Sequence, residues 1–491
     1  MAGQVQPTQE QLLAALAPDA RVNIEAAPGA GKTTVAAERF GMYRFRPGVD
    51  TRGVLALSFT KSARQELANR VRARWGGRAL TAPHAVLTFD RLHQLLLAAL
   101  LDAGHISWTY TGERQEPLDS WRGAAGARPL NAGQTRWVAK LNGTTVHRGA
   151  SPAPYRGVWM STAGGLRAQL EAGVHTHDDV RSLLHDALAH AELRTLVKAS
   201  LRQRFRAVIV DEVYDANAQD LDLIALFCEV GLPVTLIGDR WQALYGFRGA
   251  RPNLVPGVLA GHEFVQHDVT RSFRYEGADL ELRMAQLRNR VGLTLPAGQA
   301  NACDVVLSTG WDQLWKADVC VLPTGIGQPE NKSVALLTVL LSRVTTTRLG
   351  TEARNYPEAC FVLGLPLTDP ARDDALDCFL NDLRDDPTLT VDSLRDCYSE
   401  LGLVRRPPRL GAAKEKKLDE TLGSLRLRLV GHRLVSGLSV HQAKGREYDR
   451  VGLKLKPADV TRLAGGLDPD NADHRVLYVA VTRARQETVL V

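Results

Sequence analysis

The chain has 491 residues, 44% hydrophobic and 23% charged, values of a folded protein with room for about three or four domains. Lys and Arg outnumber Asp and Glu by 61 to 54, a net charge of +7 that permits a polyanionic partner without demanding one. Six cysteines show no CxxC pair, the stretch Met1 to Glu10 is polar, and no apolar run approaches about 18 residues. These features argue against a zinc or iron–sulfur centre, a secretory signal and a membrane span, and they point to a cytoplasmic protein.

The first chemically informative element is the apolar run Val22–Ala27, which closes on Ala26-Ala27-Pro28-Gly29-Ala30-Gly31-Lys32-Thr33. A strand, a glycine-rich turn and a helix start form the order that a phosphate-binding loop needs. Gly29 and Gly31 let backbone N–H groups converge on phosphate oxygens. The helix start adds its positive dipole end. Lys32 can reach the outer phosphates and the Thr33 hydroxyl can ligate Mg²⁺. The strict pattern has Gly where this chain has Ala26.

A basic stretch follows, with Arg39, Arg44, Arg46, Arg52, Lys61, Arg64, Arg70, Arg72 and Arg74 among few acids; taken alone it reads equally well as a solvated helix face. Further strand-like runs are Val54–Phe59, Ala85–Phe89, Ala207–Val210, Val234–Ile237, Val451–Leu455 and Thr488–Val491. Helical stretches between many of them predict parallel sheets of the α/β class with ligands at the carboxyl ends of the strands. Residues 98–195 lack that rhythm and read as an insertion. Residues 346–430 are charge-rich and helical in tone, broken by Arg405-Arg406-Pro407-Pro408-Arg409.

Two stretches complete the chemistry. Ala207-Val208-Ile209-Val210 ends in Asp211-Glu212, which suits a Mg²⁺-directed carboxylate beside one that polarises the attacking water. Gly238-Asp239 is followed by Gln242, placed to sense a γ-phosphate, and then by Tyr245, Phe247 and Arg248, aromatics and a cation suited to stacking on bases.

The ordered set resembles the UvrD/Rep/PcrA-type helicases of superfamily 1. Pro7-Thr8-Gln9-Glu10-Gln11 resembles that family's adenine-reading segment, with Gln11 as reader. Phe59-Thr60-Lys61 and Thr88-Phe89-Asp90-Arg91 resemble motifs along its single-strand path. Asp211-Glu212-Val213-Tyr214-Asp215 resembles Asp-Glu-x-Gln-Asp, and Ser272-Phe273-Arg274 resembles Asn-Tyr-Arg. His441-Gln442-Ala443-Lys444-Gly445-Arg446-Glu447-Tyr448 and Tyr478-Val479-Ala480-Val481-Thr482-Arg483-Ala484 resemble the closing motifs. Tyr214 stands where the family has a Gln that couples hydrolysis to DNA. Thr34 stands where relatives often carry an Arg over adenine. Asp90-Arg91 and Arg446 are further departures.

The resemblance implies two RecA-like lobes with mainly helical insertions. The first lobe would span 1–97 and 196–268 with an insertion at 98–195; the second would span 269–345 and 431–491 around a reduced helical insertion at 346–430. It implies ATP and Mg²⁺ as cofactors, with Lys32, Glu212, Gln242, Arg274 and Arg483 in catalysis and Thr33 and Asp211 at the metal. Gln11, Ala27, Gly29, Ala30, Gly31, Lys32, Thr33, Thr34, Phe273 and Glu447 would hold the nucleotide. Phe59, Thr60, Thr88, Phe89, Tyr245, Phe247, Arg248 and His441 would grip single-stranded DNA. The activity implied is a 3′-to-5′ single-strand translocase or helicase serving repair, recombination or genome defence. The alternatives are a DNA-stimulated motor subunit working with a nuclease or repair partner, and a DNA-binding module whose ATPase is only a switch.

Overall fold

A computed structural model describes residues 7–48, 50–111, 113–122, 127–154, 158–431 and 433–491; the side chains of Pro129, Phe247, Arg248 and Asp279 lie outside that description. The chain forms two compact units, one ending at Phe273 and one spanning Arg274–Val491.

The first unit begins with strands β1 (Arg21–Ala26), β2 (Gly53–Ser58) and β3 (Ala85–Thr88). An insertion then contributes β4 (Arg128–Leu130), β5 (Thr135–Asn142), β6 (Thr145–Pro152) and β7 (Val158–Met160) before β8 (Phe205–Asp211), β9 (Val234–Gly238) and β10 (Val265–Val269) return to the main sheet. That sheet is parallel throughout, in the order β10-β1-β9-β8-β2-β3. All residues of β2 and β9 are buried, as expected for strands covered on both faces. One apolar core, with Leu55, Val208 and Phe227, continues into the insertion through Leu166 and Leu183; a second core, with Ile24, Val35 and Phe40, fills the other face.

The insertion carries a β component that its irregular composition hid. β5 and β6 pair antiparallel from Thr135↔Pro152 to Asn142↔Thr145, leaving Gly143 and Thr144 as the turn. Gly143 has φ +58, the left-handed geometry such hairpin turns require. Helices Ala163–Glu171 and His177–Ala189 pack beside it.

The second unit has a parallel sheet of β11 (Val305–Ser308), β12 (Val321–Pro323), β13 (Val435–Ser439), β14 (Tyr448–Leu453) and β15 (Ala484–Leu490), in the order β12-β13-β11-β14-β15. Between β12 and β13 lies a five-helix cluster from Lys332 to Leu429, packed on Leu336, Leu340, Phe379 and Leu422. Its first helix, Lys332–Leu349, runs through the expected bound at residue 346, so the helical part starts earlier than its charge content suggested. Among the described residues, no helix is long and apolar enough to cross a membrane.

Candidate active site

Strands β1, β9 and β8 are neighbours, so the loops leaving their carboxyl ends are brought together. The first is the phosphate loop. Gly29 and Gly31 sit at φ +75 and +81, and the helix Lys32–Phe45 starts at Gly31 with no side chain capping its first N–H groups. Its first turn holds no acid, which leaves that end to an anion. Gly31 also has no room for a Cβ, which would stand 2.4 Å from Gln11 Nε2.

Gln11 is buried against this loop. Its Nε2 donates to the Ala30 carbonyl at 2.8 Å, and its Oε1 accepts the Thr8 N–H at 2.9 Å in a capping box. The segment after β10 is tied to the same place. Ser272 Oγ donates to the Pro28 carbonyl at 2.7 Å and the Phe273 N–H to the Gly29 carbonyl at 3.0 Å. Glu10 accepts the Thr270 N–H at 2.8 Å and the Arg271 N–H at 3.2 Å. Phe273 is therefore anchored by its backbone while its ring stays 52% exposed, with the Arg271 guanidinium 5.5 Å from its centroid. An exposed ring on a fixed backbone beside a phosphate loop is suited to stacking on a base. Glu10 is a fastening residue that the sequence reading passed over.

The second loop follows β8. Asp211 ends the strand, buried, and Glu212 takes φ 59. Glu212 Oε1 lies 3.7 Å from Lys32 Nζ. Burial first, and the neighbouring Glu212 charge second, push the Asp211 carboxyl well above its ordinary range, against the pull of Lys32. Asp211 Oδ1 is buried without a hydrogen-bond partner. A buried carboxylate oxygen left open beside a phosphate loop fits a divalent cation. The third loop follows β9, where Gln242 Nε2 donates to Asp239 Oδ2 at 2.6 Å and both residues are buried.

In the second unit, Arg274 donates from Nε to Glu447 Oε1 at 2.9 Å and from Nη1 to the Thr482 carbonyl at 2.7 Å. Arg483 is 0% exposed and donates to the Val479 carbonyl at 3.0 Å and to Thr482 Oγ1 at 3.2 Å. Burial, and then the charge of Arg274, bring the Arg483 guanidinium down to about 9. Both expected arginine fingers thus make bonds inside their own unit, and Glu447, expected at the nucleotide, faces Arg274.

The residues expected on DNA divide. Phe59 stacks on Phe89 with centroids 4.8 Å apart and an interplanar angle of 20°. Phe89 itself is 1% exposed and belongs to the core, so it cannot touch a strand; it opens the amphipathic helix Phe89–Asp102 and faces inward with Leu92 and Leu96. Thr60 and Thr88 hydroxyls cap helices by accepting the Ala63 and Arg91 N–H groups at 3.1 and 3.2 Å. Tyr245 lies on the turn Tyr245–Arg248, half-buried; the side chains of Phe247 and Arg248 lie outside the described residues. His441 is half-buried on the short helix after β13. Tyr214 is buried, and its hydroxyl donates to Glu25 Oε2 at 3.1 Å. Burial, and then the Glu25 charge, push its phenol far up.

Residues 7–119 and 153–257 match the UvrD/REP helicase N-terminal domain. The chain is 25% identical to the ATP-dependent DNA helicase UvrD2 of Mycobacterium tuberculosis over an alignment of 562 residues, covering 98% of this chain and 78% of that protein. It is also 25% identical to DNA helicase IV of Escherichia coli over 280 residues, covering 48% of this chain and 40% of that one. The phosphate loop, the Asp211-Glu212 pair and Gln242 all fall within the matched residues, and the chain carries a UvrD/REP helicase N-terminal domain.

Proposed function

We propose that this protein is an ATP-dependent DNA helicase that moves along single-stranded DNA. The observation that carries the reading is the convergence of Lys32, Asp211, Glu212 and Gln242 at the carboxyl ends of three adjacent strands. The named activities of the two relatives support it.

In this reading the Gly29–Gly31 backbone and Lys32 cradle the phosphates of ATP. Thr33 and Asp211 hold Mg²⁺, which would neutralise charge on the phosphate oxygens. Glu212 orients the attacking water and accepts its proton. Gln242 registers the γ-phosphate. Gln11 and Phe273 hold the base. Arg274 and Arg483 exchange carbonyl and carboxylate partners for the transferring phosphoryl group, where fixed cations are worth roughly 10³–10⁵ in rate. Phe59, Tyr245, Phe247, Arg248 and His441 contact the strand, with 3′-to-5′ travel. The cell compartment proposed is the cytoplasm, in keeping with six free cysteines, and the setting is repair, recombination or genome defence.

A second reading is a DNA-stimulated motor subunit that relies on a nuclease or repair partner. Tyr214 favours it, because a hydroxyl committed to Glu25 lacks the paired donor and acceptor of an amide. The purified chain is tested on 3′-tailed and 5′-tailed duplexes alongside ATP turnover. Unwinding of the 3′-tailed duplex alone supports the first reading. Stimulated turnover without strand separation supports the second. Turnover indifferent to DNA leaves only a nucleotide switch.

A further inference from the structure

Glu25 belongs to no motif in the chain, yet three catalytic segments meet at its carboxylate. In the order β1-β9-β8, Glu25 on β1 is in register with Gly238 on β9. Tyr214 follows β8, on the far side of β9, and must cross that strand to reach Glu25. It does so over Gly238: a Cβ at 238 would stand 2.7 Å from Tyr214 Cδ2. The phenol then donates to Glu25 Oε2 at 3.1 Å. The other oxygen, Oε1, accepts the Arg240 backbone N–H at 3.0 Å. Arg240 directly follows Asp239, whose carboxylate receives the Trp241 N–H at 3.1 Å and the Gln242 amide at 2.6 Å. Glu25 itself directly precedes Ala26, where the phosphate loop begins.

We propose that Glu25 is a positioning residue for ATP hydrolysis, fixing the Glu212 loop through Tyr214 and the Gln242 loop through the Arg240 N–H, both against the strand that feeds the phosphate loop. Glu212 needs such a hold. Its φ of 59 is a left-handed conformation that an L residue keeps only when its surroundings over-determine it. Tyr214 lies two residues beyond it, at the centre of the turn Val213–Asp215. Glu25 would touch neither nucleotide nor water; its effect would be on where Glu212 and Gln242 stand. The inference rests on the hydrolysis reading above.

The test compares Tyr214→Phe, Glu25→Gln and the double variant with the wild-type chain, each with Mg²⁺-ATP and saturating single-stranded DNA. Small displacements of catalytic groups are costly in rate, so each single variant is expected to lower kcat about 10-fold. KM for ATP and the affinity for a fluorescent ATP analogue should stay within about 2-fold, because the phosphate loop is untouched. The double variant should be no slower than the slower single, as for two ends of one contact. Gly238→Ala, which pushes the ring aside, should give the same split; should it fail to fold, Tyr214→Phe removes one oxygen atom and still decides the matter. Unchanged kcat in both single variants, or a kcat loss matched by an equal rise in KM, overturns the proposal, as do multiplicative losses in the double variant. A wild-type chain with no ATP turnover overturns the hydrolysis reading as well, whereas wild-type turnover with unaffected variants overturns this inference alone.

Discussion

The two units hold their functional side chains in opposite ways. In the first, the candidate groups point at an anion site: the helix start at Gly31 is uncapped, Asp211 Oδ1 has no partner, and Lys32 is 3.7 Å from Glu212. In the second, Arg274 and Arg483 are bonded to Glu447, to Thr482 and to the Val479 carbonyl. The first arrangement leaves groups open for a ligand, whereas the arginines of the second are already bonded within their own unit. Under the proposed function, Arg274 and Arg483 would have to give up these bonds to serve the reaction, which separates nucleotide binding from catalysis. Binding should depend on the first unit, and rate on both.

Lys32→Ala carries the largest expected effect. Hydrolysis should fall by about 10³ or more, since the cation that meets the outer phosphates is lost. The melting temperature should barely move, because Lys32 makes only a long, partly exposed pair with Glu212. Retained turnover would remove the loop from the chemistry. Next in size is Arg483→Ala. We expect roughly a 10³-fold loss of kcat with ATP affinity nearly intact, measured by single-turnover hydrolysis and nucleotide titration. The same variant should also melt earlier, since it empties a fully buried site whose guanidinium donates to the Val479 carbonyl and to Thr482 Oγ1. A loss of ATP affinity equal to the loss of rate would erase the distinction between the units.

Much of the first unit was legible in the chain. The runs at Val54 and Val234 are continuous and apolar, as strands buried on both faces must be, and they became β2 and β9. The phosphate loop and Asp211-Glu212 are local patterns, so spacing alone located them. β11 and β12, four and three residues long, are too short to show a period, and β10 is half exposed. The β5–β6 hairpin had one readable sign, Asn142-Gly143, which the irregular flanks obscured. Glu25 could not be found from the chain, because its role depends on lying opposite Gly238 in a register between residues far apart in sequence. Phe89 was misread for the converse reason. Its motif resembles a DNA contact, whereas the helix it opens turns its ring into the core.

Phe59 and Phe89, two rings in contact, should respond differently to truncation. Phe89→Ala should cost about 3–5 kcal/mol of stability, the range for truncating a buried Phe, read from denaturant midpoints. Phe59→Ala, at the outer side of the stack, should spare most of that stability. Its loss should appear instead as about 1–3 kcal/mol of single-strand affinity, the range for one stacked base. Equal stability losses in the two variants would make Phe59 a packing residue.

The smallest effect tests whether the units also differ in acid. In the first, His93 is fully buried beside Arg181, Asp90, Asp220 and His177. Burial, and then the Arg181 charge, drive its imidazole down to about 3. A free histidine titrates near 6.5, so between roughly pH 6.5 and 3 the unfolded chain binds a proton that the folded one refuses. Stability is therefore present above about pH 6.5 and drains as pH falls, by up to about 1.4 kcal/mol per pH unit. In the second unit, Arg409 holds the Asp392 carboxyl below its ordinary range, and Arg395 does the same for Glu415. Depressed carboxyls lose their contribution only below the ordinary carboxylate range, so the step from pH 7.5 to 5.5 leaves them ionised. His93→Gln should accordingly flatten the first unit's response to that step by about 1.4 kcal/mol, measured by urea unfolding followed with probes in each unit, while the second unit's response stays as it was. Parallel curves for wild type and variant would mean that His93 is charged in the folded chain and pairs with Asp220 across their 3.7 Å separation.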